Sequence, residues 1–247
     1  MDICKKTKYE EKLKNASPKE IIKTAMEEWG DSLTFASSLG AEDQVITHIL
    51  CQLTDDPDIF IIDTGRLHPQ TYALIDKTRE YYNISLKIYF PDYSMLQGFY
   101  NKNGVNSFYK SVEMRKACCL IRKVEPLSRA LAGKKAWITG LRREQSSDRK
   151  SISIIEWDEL HSIYKINPLA NMSTKDLWLY IKENNIPYNP LHDRGYASIG
   201  CEPCTRAIVE GESPRAGRWW WEDGKKECGL HTERLGGDNG QAAETGI

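Results

Sequence analysis

The amino-acid sequence predicts an α/β protein: a mainly parallel sheet with helices on both faces, followed by a mobile C-terminal segment. Three observations lead there. Ile59-Phe60-Ile61-Ile62 is a wholly apolar strand, the pattern of a parallel sheet covered on both sides. Strand-like and helix-like stretches alternate from Ser32 onward, the order that right-handed β–α–β crossovers produce. Polar residues gather where strands end, at 63–68 and again at 140–146, and open α/β sheets bind ligands at that carboxyl edge.

Taken in order, Ser17-Pro18-Lys19-Glu20 reads as a helix start, with Ser17 as N-cap, proline in the first turn and Glu20 completing a capping box. Ile21, Ala25 and Trp29 fall on one face of that helix and Gly30 closes it. Residues 32–38 form a strand, and Leu39-Gly40-Ala41-Glu42-Asp43 leads into a helix reaching about Leu53. Such a turn presents unpaired N–H groups at the positive end of a helix and suits an anion. Neither standard phosphate motif is present, however, and Glu42 and Asp43 could be structural N-terminal charges. A helix over 69–82, a strand over 85–90 and a polar, Asn-rich loop around 101–107 follow. Next come a helix carrying Cys118-Cys119, a strand over 135–139 ending in Gly140-Leu141-Arg142-Arg143, and a hairpin of 152–157 with 163–167. Ser173 caps a helix that ends before Pro187, and a turn-rich run then delivers Cys201 and Cys204.

The chain has 247 residues, 40% hydrophobic and 28% charged, enough for one well-cored domain. The first 15 residues mix acids with bases, and no run of 18 apolar residues occurs, so neither export nor membrane insertion is expected and the cytoplasm is the default. Seven scattered cysteines fit metal binding or reactive thiols in a reducing compartment better than a disulfide framework. A net charge of −1 argues against a nucleic-acid surface. Between Lys110 and Lys150, nevertheless, twelve Lys or Arg face four acids, which a compact anionic ligand or a solvated basic face would explain.

Adjacent side chains on a helix diverge by about 100°, so Cys118 and Cys119 can hold one object only if it is reached from two directions. With Cys201-Glu202-Pro203-Cys204 they make the ligand set of a Cys₄ zinc site or a [4Fe–4S] cluster. A cubane suits the adjacent pair better, because it offers separate corners; two unrelated buried pairs of small hydrophobes are the plainer alternative. Beyond Cys204 the composition changes. Residues 211–224 hold two arginines and three consecutive tryptophans without helical or strand period, and Lys225-Lys226 precede Cys228, with His231 three residues on. That setting favours a thiolate, although a surface cysteine near lysines is also a common incidental feature. The expected organisation is an α/β domain over 1–207 with the cysteine site, a flexible segment over 208–235 and a disordered tail over 236–247.

Together the motifs SSLGAED, DTGRLHPQTY, KACCLIRK, GLRREQS, GCEPC, GESPRAGRWWWE and KKECGLH make the chain resemble the assimilatory adenylyl-sulfate reductases of the sulfonucleotide reductase family, over nearly its whole length. The resemblance implies an adenine nucleotide α-hydrolase-like sheet, a [4Fe–4S] cluster, and reduction of adenosine 5′-phosphosulfate (APS) to sulfite and AMP by thioredoxin or glutaredoxin. It further implies that Cys118, Cys119, Cys201 and Cys204 ligate the cluster, that Lys123 links cluster and substrate, and that Arg142 and Arg143 bind phosphosulfate. Arg215 and Arg218 would close over the substrate from the C-terminal segment. Ser37, Ser38, Gly40, Glu42 and Asp43 correspond to the phosphate loop, Asp63, Thr64, Gly65 and Arg66 to a second nucleotide loop, Cys228 to the nucleophile and His231 to its neighbour. Leu39, Met172 and Ser213-Pro214 depart from the family pattern without touching a proposed role, and Cys4 and Cys51 match no motif. Two alternatives stay open: a reductase of the 3′-phosphorylated nucleotide (PAPS), and a non-catalytic Cys₄ redox sensor that binds nucleotide. Oligomeric state is not fixed by the sequence, and a homo-oligomer is one expectation.

Overall fold

The computed structural model describes residues 9–146 and 149–222. Six strands form one sheet: β1 (Leu33–Ser37), β2 (Ile59–Ile62), β3 (Lys87–Tyr89), β4 (Ala136–Ile138), β5 (Ile155–Asp158) and β6 (Ile163–Ile166), in the spatial order β3-β2-β1-β4-β6-β5. All neighbours are parallel except the hairpin β5–β6. Phe35 sits at the centre, opposite Ile59 on one side and Ile138 on the other. The order runs outward from β1 in one direction and from β4 in the other, so a crevice opens between the carboxyl ends of these two strands.

Alternation along each strand divides the apolar residues between two layers. Phe35, Ile59, Ala136, Ile138, Tyr164 and Ile166 pack with α1 (Pro18–Trp29), α2 (Ala41–Leu53) and α7 (Thr174–Glu183). Ile61, on the same face, meets Leu74 and Ile75 of α3 (Pro69–Tyr82). Phe60, Trp137 and Ile163 point the other way, onto Leu127, Ala130 and Leu131 of α6 (Glu125–Leu131). Each such buried side chain contributes roughly 1.5–3 kcal/mol, and the two-sided cover explains why β2 is apolar throughout.

The local signals behave as their chemistry requires. Ser17 and Glu20 form the expected reciprocal capping box. The expected loop at 101–107 needs correction, because a helix, α4 (Tyr93–Asn103), covers its first three residues. Asp92 caps α4 through Met95 N (2.8 Å), and the helix's apolar stripe, Leu96, Phe99 and Tyr100, is short and only half-buried. No helix among the described residues is long and apolar enough to cross a membrane.

Asn167, fully buried after β6, fixes the crevice wall. Its Oδ1 accepts from the Thr139 hydroxyl (2.5 Å), and its Nδ2 donates to Ser153 O (2.8 Å) and Glu156 Oε2 (3.0 Å), tying the end of β4 to the hairpin. Asn167→Leu keeps the volume but strands these groups, and should lower unfolding free energy by about 2–3 kcal/mol. Urea denaturation checks this, and an unchanged midpoint would contradict the assigned role.

Candidate active site

The crevice is a cavity of about 630 Å³ lined by the β1–α2 turn, the β4 turn and residues 195–200. Leu39 adopts a left-handed backbone (φ 61°), unusual for a residue with a Cβ, while its side chain is buried. Ser37 Oγ accepts from Leu39 N (3.2 Å), and Asp43 Oδ2 accepts from both the backbone N–H and the hydroxyl of Ser38 (2.6 Å each). Burial raises the Asp43 carboxyl to about 7, against the opposing pull of its Ser38 bonds. The first helical turn thus folds Asp43 back onto its own loop.

From the other side of the crevice, Gly140 approaches so closely that a Cβ there would lie 2.0 Å from Asp43 Oδ1 and 3.1 Å from Glu42 Cβ. Arg142, buried, donates from Nε to Glu42 Oε1 (2.9 Å) and from Nη1 to Met172 O (3.1 Å), so the two turns are joined by an ion pair as well as by contact.

Cys118, Cys119, Cys201 and Cys204 line a second, smaller cavity together with Arg66, Arg115, Arg122 and Lys123. A continuous helical run supplies five of these eight residues: α5 (Val112–Cys119), a π turn (Leu120–Val124) and α6. Pro126 cannot donate to the carbonyl four residues back, and the widened turn accommodates that loss. Arg115, Cys118 and Arg122 are the buried residues of α5 and the π turn, at spacings of three and four. Arg122 donates to Thr64 O and to the Tyr100 hydroxyl. Thr64 Oγ1 lies 3.2 Å from Cys201 Sγ. Burial pushes the Cys118 and Cys204 thiols up, the latter to about 12, while Arg122 beside Cys118 and Lys123 beside Cys204 pull the other way. Among the described residues no three His, Cys, Asp or Glu side chains stand in metal-binding geometry.

Lys123 lines both cavities. So does the chain after Cys204 reach both: Arg215 and Arg218 line the larger one, while Trp219, buried, packs with Cys118, Cys201 and Cys204. The backbone of Gly200 passes so near Arg218 that a Cβ would lie 2.3 Å from its Nη2.

The family model of the phosphoadenosine phosphosulfate reductase domain matches residues 32–207, more than half of the chain. The chain belongs to this family. It is 52% identical over 202 residues to an adenosine 5′-phosphosulfate reductase of Burkholderia cepacia (81% of each chain) and 45% identical over 230 residues to one of Pseudomonas aeruginosa (90% of this chain, 85% of that one). A solved phosphoadenylyl-sulfate reductase of Candida auris, in a phosphate complex, superposes with a TM-score of 0.69 at 32% identity, covering 81% of this chain and 94% of that one. The FMN adenylyltransferase of Candida glabrata (TM-score 0.55, 17% identity, 80% and 65% covered) shares the fold. The family is one of oxidoreductases, and the nucleotide α-hydrolase-like sheet expected from the motifs is the sheet found.

Of the family positions carried over from sequence, Ser37, Ser38, Gly40, Glu42, Asp43, Thr64, Lys123, Arg142, Arg215 and Arg218 line the larger cavity. Asp63 lies behind it, accepting from Gly65 N (2.7 Å) and the Tyr72 hydroxyl (2.9 Å) and so shaping the left-handed turn at Gly65 (φ 68°). Arg66 turns away to the cysteine cavity, donating to Tyr100, Val105 O and Asn106 and lying 4.8 Å over the Phe108 ring. Arg143 is also turned away, donating to Ile152 O (2.8 Å) and Asn171. Cys228 and His231 lie outside the described residues. Arg115, Arg122 and Gly140 were not singled out by sequence reading; the 115/118/122 spacing and the glycine opening GLRREQS were the signals available.

Gly140→Ala should force Asp43 off its Ser38 bonds. We expect at least a tenfold weaker AMP affinity and a loss of about 1–3 kcal/mol in stability. Calorimetric titration with AMP checks it, and wild-type affinity would contradict the close approach.

Proposed function

We propose that this chain reduces APS to sulfite and AMP in the cytoplasm, with thioredoxin or glutaredoxin as electron source, serving sulfate assimilation and cysteine biosynthesis. The observation that carries the proposal is Lys123, a single cation in the wall of both the crevice cavity and the four-cysteine cavity. The names of relatives at 45–52% identity support the substrate.

The four cysteines suit a [4Fe–4S] cluster by their donor set. Four thiolates around such a cluster carry net negative charge, and Arg66, Arg122 and Lys123 supply counter-charge in the same cavity wall. When bound, the cluster supplies a compact polarising centre beside the nucleotide. The protein's own groups do the rest. Lys123, Arg215 and Arg218 offset the charge of sulfate and phosphate so that an anionic nucleophile can approach.

Cys228 thiolate attacks the sulfur of APS, forming an S–S bond as the S–O bond to AMP breaks, and AMP leaves with that electron pair. A thioredoxin thiolate then attacks Cys228 Sγ, and sulfite departs with the electrons of the bond just made. The second thioredoxin thiol resolves the mixed disulfide, returning Cys228 to the thiol state. Overall the dithiol is oxidised by two electrons and the sulfuryl group is reduced to sulfite. His231, three residues from Cys228, is assigned to support it.

Cys228→Ser should abolish sulfite formation while AMP binding is retained. Wild-type protein given APS without reductant should carry a sulfonate on the Cys228 peptide by mass spectrometry; a sulfonate on another cysteine, or turnover by Cys228→Ser, would end the mechanism. The Candida auris relative keeps PAPS as the second reading of the substrate. The ratio of kcat/KM for APS and PAPS in the same assay decides between them, with the larger value expected for APS.

A further inference from the structure

The C-terminal segment is held to the cysteine site by a buried clamp that the reaction as written does not use. Arg115 donates from Nε to Glu222 Oε1 (3.0 Å) and from Nη2 to Glu222 Oε2 (2.8 Å), and these side chains are only 5% and 8% exposed. The same guanidinium lies 4.5 Å from the Trp219 ring centroid, and Arg218 lies 4.9 Å from it, so one indole carries both cations. Trp219 N donates to Cys204 O (3.1 Å), and Arg206 N to Gly217 O (3.0 Å), where a Cβ on Gly217 would come within 2.2 Å of Arg206 O. Arg115 itself stands one helical turn before Cys118. The clamp therefore touches both cysteine pairs, through Cys118 on the helix and Cys204 on the loop. It also braces Arg218, which reaches the nucleotide cavity.

A two-point guanidinium–carboxylate fork fixes direction as well as distance. Glu222 precedes Cys228 by six residues, which span at most about 20 Å when extended. Anchoring Glu222 therefore leaves Cys228 on a short tether, and the same docking braces Arg218 at the larger cavity. We propose that Arg115 and Glu222 clamp the C-terminal segment to the cysteine site, making Arg115 a positioning residue for sulfuryl transfer to Cys228. The clamp deepens the assignment of Cys228 as nucleophile and rests on it for its catalytic consequence.

Arg115→Met, Glu222→Gln and the double variant Arg115→Met/Glu222→Met, each as the full chain purified anaerobically, test it. Four quantities are compared with wild type: the single-turnover rate of AMP release from APS, the Kd for AMP, the iron content, and the rate of tryptic cleavage after Arg215 and Arg218. Each single variant should slow AMP release at least tenfold and speed cleavage at least tenfold, with AMP affinity and iron content unchanged. The double variant should be no slower than the singles, because the two groups act as one unit. Wild-type release and cleavage rates in Glu222→Gln would overturn the clamp. Loss of iron in parallel with activity would also overturn it, by showing that Arg115 holds the cysteine site rather than the segment. If wild-type protein released no AMP from APS, the assignment of function would fall, while the cleavage rates would still decide whether the clamp exists.

Discussion

Four cations share the wall of a cavity with four cysteines, two of them, Arg115 and Arg122, buried, and satisfying that positive charge is the constraint on which the rest of the molecule turns. A guanidinium taken out of water must find hydrogen-bond acceptors or counter-charge, or destabilise the fold by several kcal/mol. The arginines share out the acceptors: Arg66 and Arg122 both donate to the Tyr100 hydroxyl, Arg66 also to Val105 O and Asn106, Arg122 also to Thr64 O, and Arg115 to Glu222. Those partners come from the second nucleotide loop, from α4 and from the C-terminal segment. Satisfying the cations is thus what gathers otherwise separate parts of the chain around the cysteines.

The nucleotide side obeys the same rule with the signs reversed. Glu42 and Asp43, at a helix N-terminus where acids are favoured, occupy donors that an incoming phosphate would use. Arg142 is bound by Glu42, and Ser38 by Asp43, so the loop is held in shape without a ligand. Arg215 and Arg218, by contrast, reach the cavity from a segment docked through Gly217, Arg218, Trp219 and Glu222. Under the proposed function the two are complementary requirements: the β1–α2 turn would preorganise phosphate binding, and the separately anchored segment would bring cations to charge that develops during transfer.

What the sequence made legible follows the range of the interactions involved. The capping box at Ser17, the apolar β2 and the polar strand ends are local patterns, and each stands where its period placed it. The cysteine pairs were readable because a ligand set has a recognisable composition. Helix α4 was hard to read because its stripe of Leu96, Phe99 and Tyr100 is short and only half-buried, and Gly98 and two asparagines interrupt the pattern. The Arg115–Glu222 pair joins residues 107 positions apart, and neither charge differs in sequence from its exposed neighbours. Arg143 shows the converse limit: it adjoins Arg142 in the motif, yet the strand end sends the two side chains to opposite destinations.

Because Lys123 borders both cavities, the account requires that filling one be felt in the other. The most direct measurement is the Mössbauer spectrum of anaerobically purified protein with and without AMP, for wild type and for Lys123→Met. The account predicts that AMP changes the iron signal of the wild type and leaves that of Lys123→Met unaltered while still binding. An iron signal in the wild type that ignores saturating AMP, or an absence of iron altogether, would contradict it.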